Sequence, residues 1–392
     1  MTIVAFQDFK FKEEDNKVKC VFMKHYFFYV EKETLAKISA FKIDEDSLEF
    51  DASQKTVTNK FNRLLKIGFS NLINVFGNKT IYIHRDSSIP LLGSNEFGIV
   101  DRGTNLIEVK PLSLCNLDCI YCSVDAGKSS KKKTDFLVEP SYLVEEFQKI
   151  ASLKKNPVEV SINPQGEPLM YSRIVELVKE LKKHAQTISM NTNGLLLTEK
   201  LIDKLVEAGL SRINLSLNTL NKETADKLSG AVYPIDRIKK VLGYCEGKIE
   251  VLIAPLIVPG YNDSDIKEMV EFCKGKYRMG FQNFLSYKKG RNPVKAKSMD
   301  WFFKLLRKHE SELVNSAEDY NIFDDTKIPK PFKKRQMIEA TVICPGKYSG
   351  EFICVAQNRC IVVSGNLNIG ERIKIRIIRD KHNIFKGLIQ KS

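Results

Sequence analysis

No stretch of about 18 consecutive uncharged apolar residues occurs in the 392-residue chain, so the sequence offers no transmembrane helix and no membrane partner. The N-terminus, "MTIVAFQDFKFKEED", lacks a long apolar core behind a basic start and reads poorly as a signal peptide. These absences point to a cytoplasmic, reducing compartment, where clustered cysteines more often serve a metal or catalysis than disulfides. The nine cysteines, an odd number, agree with that. Histidine is scarce, five in all. His25 and His84 lie among apolar residues and read as packed or surface side chains rather than ligands. What remains is ordinary for a globular protein: 43% hydrophobic and 28% charged residues, in a chain long enough for two or three domains.

Three of the nine cysteines fall within "SLCNLDCIYCSVDAG" (Ser113 to Gly127), as Cys115, Cys119 and Cys122. Thiols this close on one loop can converge on one centre and leave its fourth position without a protein ligand. Thiolates favour zinc and iron–sulfur sites. A closed zinc site wants four ligands, and no nearby His or fourth Cys supplies one. Simple packing of buried thiols is the plainer alternative. An iron–sulfur cluster with one open iron accounts for the spacing better.

Downstream, short apolar strands alternate with amphipathic helices. "TNLIEVKPL" runs into the cysteine loop, followed by helix "EPSYLVEEFQKIASL", strand "VEVSINP", helix "SRIVELVKELKKH", strand "TISMNT", helix "TEKLIDKLVEAGL" and strand "RINLSLN". Helix "PIDRIKKVLGYCEG", strand "KIEVLIAPLIV", helix "SDIKEMVEFCKG" and strand "GFQNFL" complete six units. Such alternation predicts a parallel sheet with right-handed crossovers, an α/β fold whose six units suit an open partial barrel. Ligands of such folds sit at the carboxyl ends of the strands. There stand "PQGEP" (Pro164 to Pro168), "NTNG" (Asn191 to Gly194), "SLNT" (Ser216 to Thr219) and "PGYND" (Pro259 to Asp263). The last cysteine is preceded by an aromatic residue, Tyr121.

The Cys-x3-Cys-x2-Cys loop with Tyr121, together with these rims, resembles the radical S-adenosylmethionine (SAM) superfamily over roughly residues 104–300. With the terminal barrel described below, the chain is similar to archaeal-type Fe–S oxidoreductases of that superfamily. The resemblance implies a partial (β/α)6 barrel in which the three cysteines hold a [4Fe–4S] cluster. It implies that SAM chelates the open iron and is reductively cleaved to methionine and a 5′-deoxyadenosyl radical, which abstracts hydrogen from a substrate. An electron donor such as ferredoxin or flavodoxin is implied with it. Gln165, Gly166, Glu167 and Pro168 resemble the Gly-Gly-Glu-Pro element that holds the SAM amino group, with Gln165 in place of the first glycine. Asn191, Asn193, Ser216 and Asn218 look like ribose or carboxylate contacts. Tyr121 and the residues around Val258 and Pro259 would flank the adenine. Helix caps and turns are the structural alternative for the asparagines. Two subclasses are disfavoured. Only Cys20 lies in the first 95 residues, so the second cluster of methylthiotransferases is missing, and no Asp-x-His-x-x-Gly cobalamin signature occurs.

The ends of the chain differ from this core, which spans residues 96–325. Residues 1–95 read as an α+β accessory domain, residues 326–336 as a Pro-containing basic linker, and residues 337–392 as five short strands of a small β-barrel. The barrel resembles a TRAM domain, an OB-like RNA-binding module. From Lys327 onward there are 14 Lys and Arg against four acids, a balance of +10 within a formal net charge of +14. That is the electrostatic footprint of a phosphate-binding surface, though with few aromatic residues for base stacking. Two more basic runs, Lys128 to Lys133 and Lys288 to Lys297, should lie at the rim of the cluster. The expected activity is radical SAM modification of an RNA, tRNA in particular. A peptide, protein or small-metabolite substrate, or an RNA-binding protein without catalysis, are the alternatives. Cys245 and Cys273 read as core residues. Cys344, Cys354 and Cys360 read as strand cysteines or as ligands of an auxiliary cluster.

Overall fold

A computed structural model describes residues 1–309 and 318–390. The chain divides into two compact units. The first comprises Met1–Ile83 with Lys133–Leu137, the second His84–Lys132 with the chain from Val138 onward.

The first unit is α+β. Its six-stranded sheet runs in the order Thr134–Val138, Lys79–Ile83, Ile73–Asn74, Tyr26–Glu31, Lys17–Phe22, Phe9–Glu14. The hairpin at Lys17–Glu31 follows from strict alternation: Val18, Cys20, Phe22, Tyr26, Phe28 and Val30 are buried, and charged or half-exposed residues lie between them. Helix Gln54–Ser70 starts where the Ser53 side chain accepts from the Thr56 amide. The expected boundary at residue 95 moves in two ways. A strand from far along the chain, Thr134–Val138, belongs to this sheet, where Asn74 Nδ2 donates to Asp135 Oδ2 at 2.5 Å. Residues 84–95 fall in the second unit instead, because their backbone pairs there: the Cys360 amide donates to Leu92 O and the Phe385 amide to Gly93 O. Gly93, at φ +107°, is needed in that position, since a Cβ would stand 2.2 Å from Cys360 O.

The second unit is built on an open, half-barrel sheet. Six parallel strands lie in chain order: β1 (Leu106–Lys110), β2 (Glu159–Ile162), β3 (Thr187–Thr192), β4 (Arg212–Leu215), β5 (Glu250–Ile253) and β6 (Arg278–Met279). Gly98–Asp101 adds an antiparallel edge beside β1. The sixth strand sits upstream of its expected place in "GFQNFL". Gln282–Asn283 instead pairs with Leu256–Ile257 in a separate short ladder. Helices connect the strands and pack on their outward faces, Pro140–Ala151 on β1, Ile174–Lys182 on β3 and Ile235–Cys245 on β5. Ile107, Val109, Val160, Ile162, Ile188, Met190, Ile213 and Leu215 form that buried outer layer. Thr198 and Asn221 cap helices Glu199–Glu207 and Lys222–Ser229 with side-chain acceptors.

The C-terminal strands Met337–Pro345, Glu351–Ala356, Arg359–Ser364, Lys386–Ile389 and Arg372–Arg379 close into a five-stranded barrel in that spatial order. The supposed linker before it is packed chain. Phe332 lies in the barrel core, 5.2 Å from the Phe385 ring in an edge-to-face contact. Ile328 is buried, and its carbonyl accepts from Asn383 Nδ2 at 2.9 Å. Upstream, the buried Lys154 ammonium bridges Asp101 Oδ1 at 2.8 Å and Thr326 O at 2.7 Å. An apolar ring directly after two prolines, Pro329 and Pro331, was the local sign that this stretch packs.

Candidate active site

The cysteine loop follows β1 and is held by its own turns and by a remote arginine. Cys122 N donates to Cys119 O at 3.2 Å, and the Ala126 amide points at Cys122 Sγ at 3.3 Å. Arg291, from the segment after Gln282–Asn283, reaches in and closes the loop. Its guanidinium donates to Asp118 O at 2.7 Å, Ala126 O at 2.9 Å, Asp118 Oδ1 at 3.0 Å and Asp125 Oδ1 at 2.9 Å, while its amide donates to Cys122 O at 2.9 Å. The buried Lys132 ammonium donates to Ser113 O at 2.7 Å. From the barrel, Lys347 Nζ donates to Val124 O, and Lys289 pairs with Glu351. As members of basic runs or of the basic C-terminal segment, Arg291, Lys132 and Lys347 are expected to face a polyanion. The structure corrects this: all three are committed to internal carbonyls and carboxylates around the loop.

The three cysteines are half-buried and border one cavity of about 910 Å³ at the carboxyl ends of the strands. Tyr121, Gly166, Glu167, Asn191, Asn193, Ser216 and Asn218 border it too. Gln165 is buried but does not border the cavity, and neither do Val258 and Pro259. The turn after them acts at one remove. Asn262 Oδ1 accepts from the Val258 amide, and Asn262 Nδ2 donates to Asn218 O at 2.8 Å. Gly166 is required by close approach, since a Cβ there would lie 2.1 Å from Leu114 O. The next amide, Glu167 N, donates to that same carbonyl at 2.8 Å, which ties the "GEP" turn to the cysteine loop.

Glu167 is buried and its carboxylate accepts three hydrogen bonds: Thr192 Oγ1 at 2.6 Å, the Asn193 amide at 2.9 Å and the Leu169 amide at 3.1 Å. Burial outweighs these bonds and raises its pKa to about 7. Asn193 Nδ2 donates to Asn116 Oδ1 at 2.8 Å, and Tyr233 donates to Asn193 O at 2.7 Å. Asn218 donates to the Tyr121 hydroxyl and accepts from the Leu256 amide. The Gly-Glu-Pro turn, the Asn193 loop, Asn218 and the Tyr121 turn are therefore one hydrogen-bonded rim around the thiols. Asn116, Tyr233 and Arg291 belong to that rim and carry no motif that the sequence alone reveals.

A second set was missed for a different reason. The inward faces of β1 to β4 carry Glu108, Lys110, Glu159, Ser161, Ser189, Asn191, Arg212 and Asn214, where parallel strands ordinarily put Val, Ile or Leu. The alternation in "LIEVK", "SMNT" and "RINL" was visible, but these segments read simply as apolar strands.

Among the described residues no three His, Cys, Asp or Glu side chains are placed to hold a single metal ion. The three thiols border a shared space instead, with Gly166 giving backbone access beside them. This donor set, cysteine only and three in number, fits an iron–sulfur cluster with an open corner. The cavity is also at the upper end of the range for one small ligand, which leaves room for SAM and a substrate group. The barrel cysteines go to packing. Cys354 lies in the apolar barrel core, Cys360 Sγ donates to Pro90 O at 3.1 Å, and Cys344 is buried. Cys245 and Cys273 are buried on the inner faces of their helices.

The model of the Radical SAM superfamily matches residues 109–273, the stretch that holds the cysteine loop after the first strand and the acidic turn after the second. The chain belongs to the radical SAM superfamily and is a radical SAM enzyme, with a [4Fe–4S] cluster and SAM as its cofactors. It is 36% identical over 394 residues to the "Uncharacterized protein MJ0103" of Methanocaldococcus jannaschii, covering 88% of this chain and 89% of that one. It is 33% identical over 180 residues to the "Probable GTP 3′,8-cyclase" of the same organism, 44% of this chain and 56% of the relative. Among solved structures it aligns with SAM-bound SuiB of Streptococcus suis at a TM-score of 0.43 and 16% identity, over 81% of this chain and 71% of that one. No helix among the described residues is long and apolar enough to cross a membrane.

Proposed function

We propose that this radical SAM enzyme modifies an RNA, tRNA above all, by admitting one nucleobase to the cavity while the C-terminal barrel holds the phosphate backbone. The observation that carries the reading is strand Arg372–Arg379. Ile373, Ile375 and Ile377 point into the barrel, and Arg372, Lys374 and Arg376 stand exposed along one outer face. Lys330, Lys333, Lys334 and Arg335, exposed on the strap before the barrel, add to that charge. Backbone binding of RNA needs such a stripe and no sequence-reading group. The TRAM-like identity of the barrel belongs to the same proposal. So do a cytoplasmic location and a low-potential donor such as ferredoxin or flavodoxin. The relatives named GTP 3′,8-cyclase carry a guanine nucleotide in their name, which also favours a nucleobase as the group admitted.

Cluster and SAM together supply reductive cleavage of SAM and an organic radical that takes hydrogen from the substrate. The protein's part is to place the partners. Cys115, Cys119 and Cys122 hold the cluster, and Glu167 receives the SAM amino group. Tyr121, Asn193, Ser216 and Asn218 line the remainder of the SAM site, while Asn191, expected among these contacts, accepts from Asn214 on the neighbouring strand and is left to the substrate. With a pKa near 7, the Glu167 carboxyl is mostly protonated in mild acid and gains charge as pH rises. A cationic amino group is therefore bound better as pH rises. SAM affinity is expected to strengthen about tenfold between about pH 5.5 and about pH 7, and Glu167→Gln to bind weakly with a flat profile. Equilibrium dialysis with labelled SAM reads this directly, and a wild-type profile in the variant would remove Glu167 from the role.

The substrate is tested by deleting the gene in its host and comparing digested tRNA and rRNA nucleosides by mass spectrometry. A nucleoside that disappears, and returns with the wild-type gene but not with Cys119→Ala, is the expected result; an unchanged profile would overturn the RNA reading. In solution, Arg372→Gln, Lys374→Gln and Arg376→Gln together should reduce the salt slope of RNA binding by about 3. Truncation before Lys327 is a poorer test, since it would remove the Lys347 contact to the cysteine loop.

A further inference from the structure

The floor of the cavity lies roughly 7 Å below the rim, two residues down each strand. There β1 to β4 present adjoining polar side chains. Asn191 and Asn214 are register partners, and Asn214 Nδ2 donates to Asn191 Oδ1 at 2.7 Å. Arg212 Nε donates to Asn214 Oδ1 at 3.1 Å, and the Arg212 guanidinium pairs with Glu159, which also accepts from Ser189 Oγ at 2.8 Å. Glu108 is held by Lys110 at 2.9 Å on Oε2 and Arg102 at 2.6 Å on Oε1, with Asn163 Nδ2 at 3.5 Å from the same oxygen as Lys110. Burial alone would favour the neutral acid, and the two cations overcome it, so the Glu108 pKa lies below the usual range.

Two features of this layer decide what it can recognise. Polar groups buried in a barrel interior cost stability relative to well-packed aliphatic residues, so their presence at most inward positions of four strands calls for a use. Leu106, at the start of β1, is the apolar exception on that face, and each charge is already matched: Glu159 with Arg212, Glu108 with Lys110 and Arg102. The floor therefore offers no spare cation for a phosphate or carboxylate and no spare anion for an amine. What it offers is amide and hydroxyl groups, donors and acceptors side by side. Phe281, Phe303 and Tyr320 border the same cavity and supply ring faces.

We propose that this floor, centred on Asn163, Asn191 and Asn214, reads the hydrogen-bonding edge of an uncharged nucleobase, with the sugar and phosphate directed to the mouth. The inference deepens the RNA reading and rests on it only for the source of the base. A free nucleoside should satisfy the floor as well as an RNA does.

The test uses the full-length, iron-loaded protein with SAM bound, titrated with adenosine, guanosine, cytidine and uridine, with their 5′-monophosphates, and with inorganic phosphate. At least one nucleoside should bind saturably, its monophosphate should bind within about threefold of it, and Asn163→Leu or Asn214→Leu should weaken it about tenfold or more. Each variant must retain wild-type iron and SAM binding; where one does not, the same-sized Asn214→Asp replaces it and should change the preference among the four bases. Failure of all four nucleosides to bind, nucleoside affinity unmoved by every substitution, or competition by inorganic phosphate would each overturn the proposal. Nucleoside binding lost in the variants alongside an unchanged RNA profile in the deletion strain would uphold the floor and sink the RNA reading. A vanished RNA nucleoside that the Asn214 variant restores in full would do the reverse.

Discussion

Replacing Cys119 with alanine is expected to abolish reductive cleavage of SAM. Cys115, Cys119 and Cys122 are the cysteines that border the cavity, and no other Cys in the chain does so. Removing one leaves two protein ligands for a cluster that needs three besides its open iron. The other thiols cannot substitute: Cys354 and Cys360 are fully buried in and against the barrel, and Cys245 and Cys273 under their helices. Iron bound after anaerobic reconstitution should fall with the activity. Formation of 5′-deoxyadenosine by Cys119→Ala at the wild-type rate would end the cluster assignment.

The second large effect is expected at a residue that touches neither cofactor. Arg291→Met should cost the cysteine loop its closure. It would leave Asp118 and Asp125 without their cation and take the guanidinium's bonds from the carbonyls of Asp118, Cys119 and Ala126. The guanidinium is largely buried, so the loss is about 3–5 kcal/mol for an orphaned ion pair, concentrated in one loop. Burial pushes the Asp118 pKa up, but the Ser129 amide and Arg291 more than reverse this and hold it below the usual carboxylate range. The pair's contribution is therefore present above the ordinary Asp pKa and fades as pH falls through the lowered one. The measurable outcome is reduced iron occupancy and SAM cleavage roughly tenfold or more below wild type. Arg291→Lys should rescue only part of it, because one ammonium cannot span the guanidinium's several acceptors. A variant with full iron content and activity would show that the loop closes by itself.

Much of this site was legible because its elements sit at strand ends, where chain order maps directly onto position. The cysteine loop, "GEP" and "NTNG" could be placed around one opening from alternation alone, and each lines it. Residues acting across the fold were not legible. Arg291 lies in "KKGRNPVKAK", which looks like a solvated basic run, and nothing local shows that Asp118 and Asp125 await it. Lys132, inside a basic run, and Lys347, in the turn "PGKYSG", were hidden the same way, since nothing local marks a lysine as buried. Thr134–Val138 joins a sheet whose first strand in the chain is Phe9–Glu14, a pairing that local pattern cannot encode. The polar floor differs again. Its period of two was written in the strands, but a buried parallel strand is expected to be apolar on both faces, and that expectation masked the alternation.

The central claim is that the three-cysteine loop carries a cluster whose open iron takes SAM. Electron paramagnetic resonance of the anaerobically reconstituted, reduced protein, alongside its iron content, tests this most directly. About four irons per chain and a [4Fe–4S] signal that changes when SAM is added are expected. Bound zinc in place of iron, or a cluster signal indifferent to saturating SAM, would contradict it.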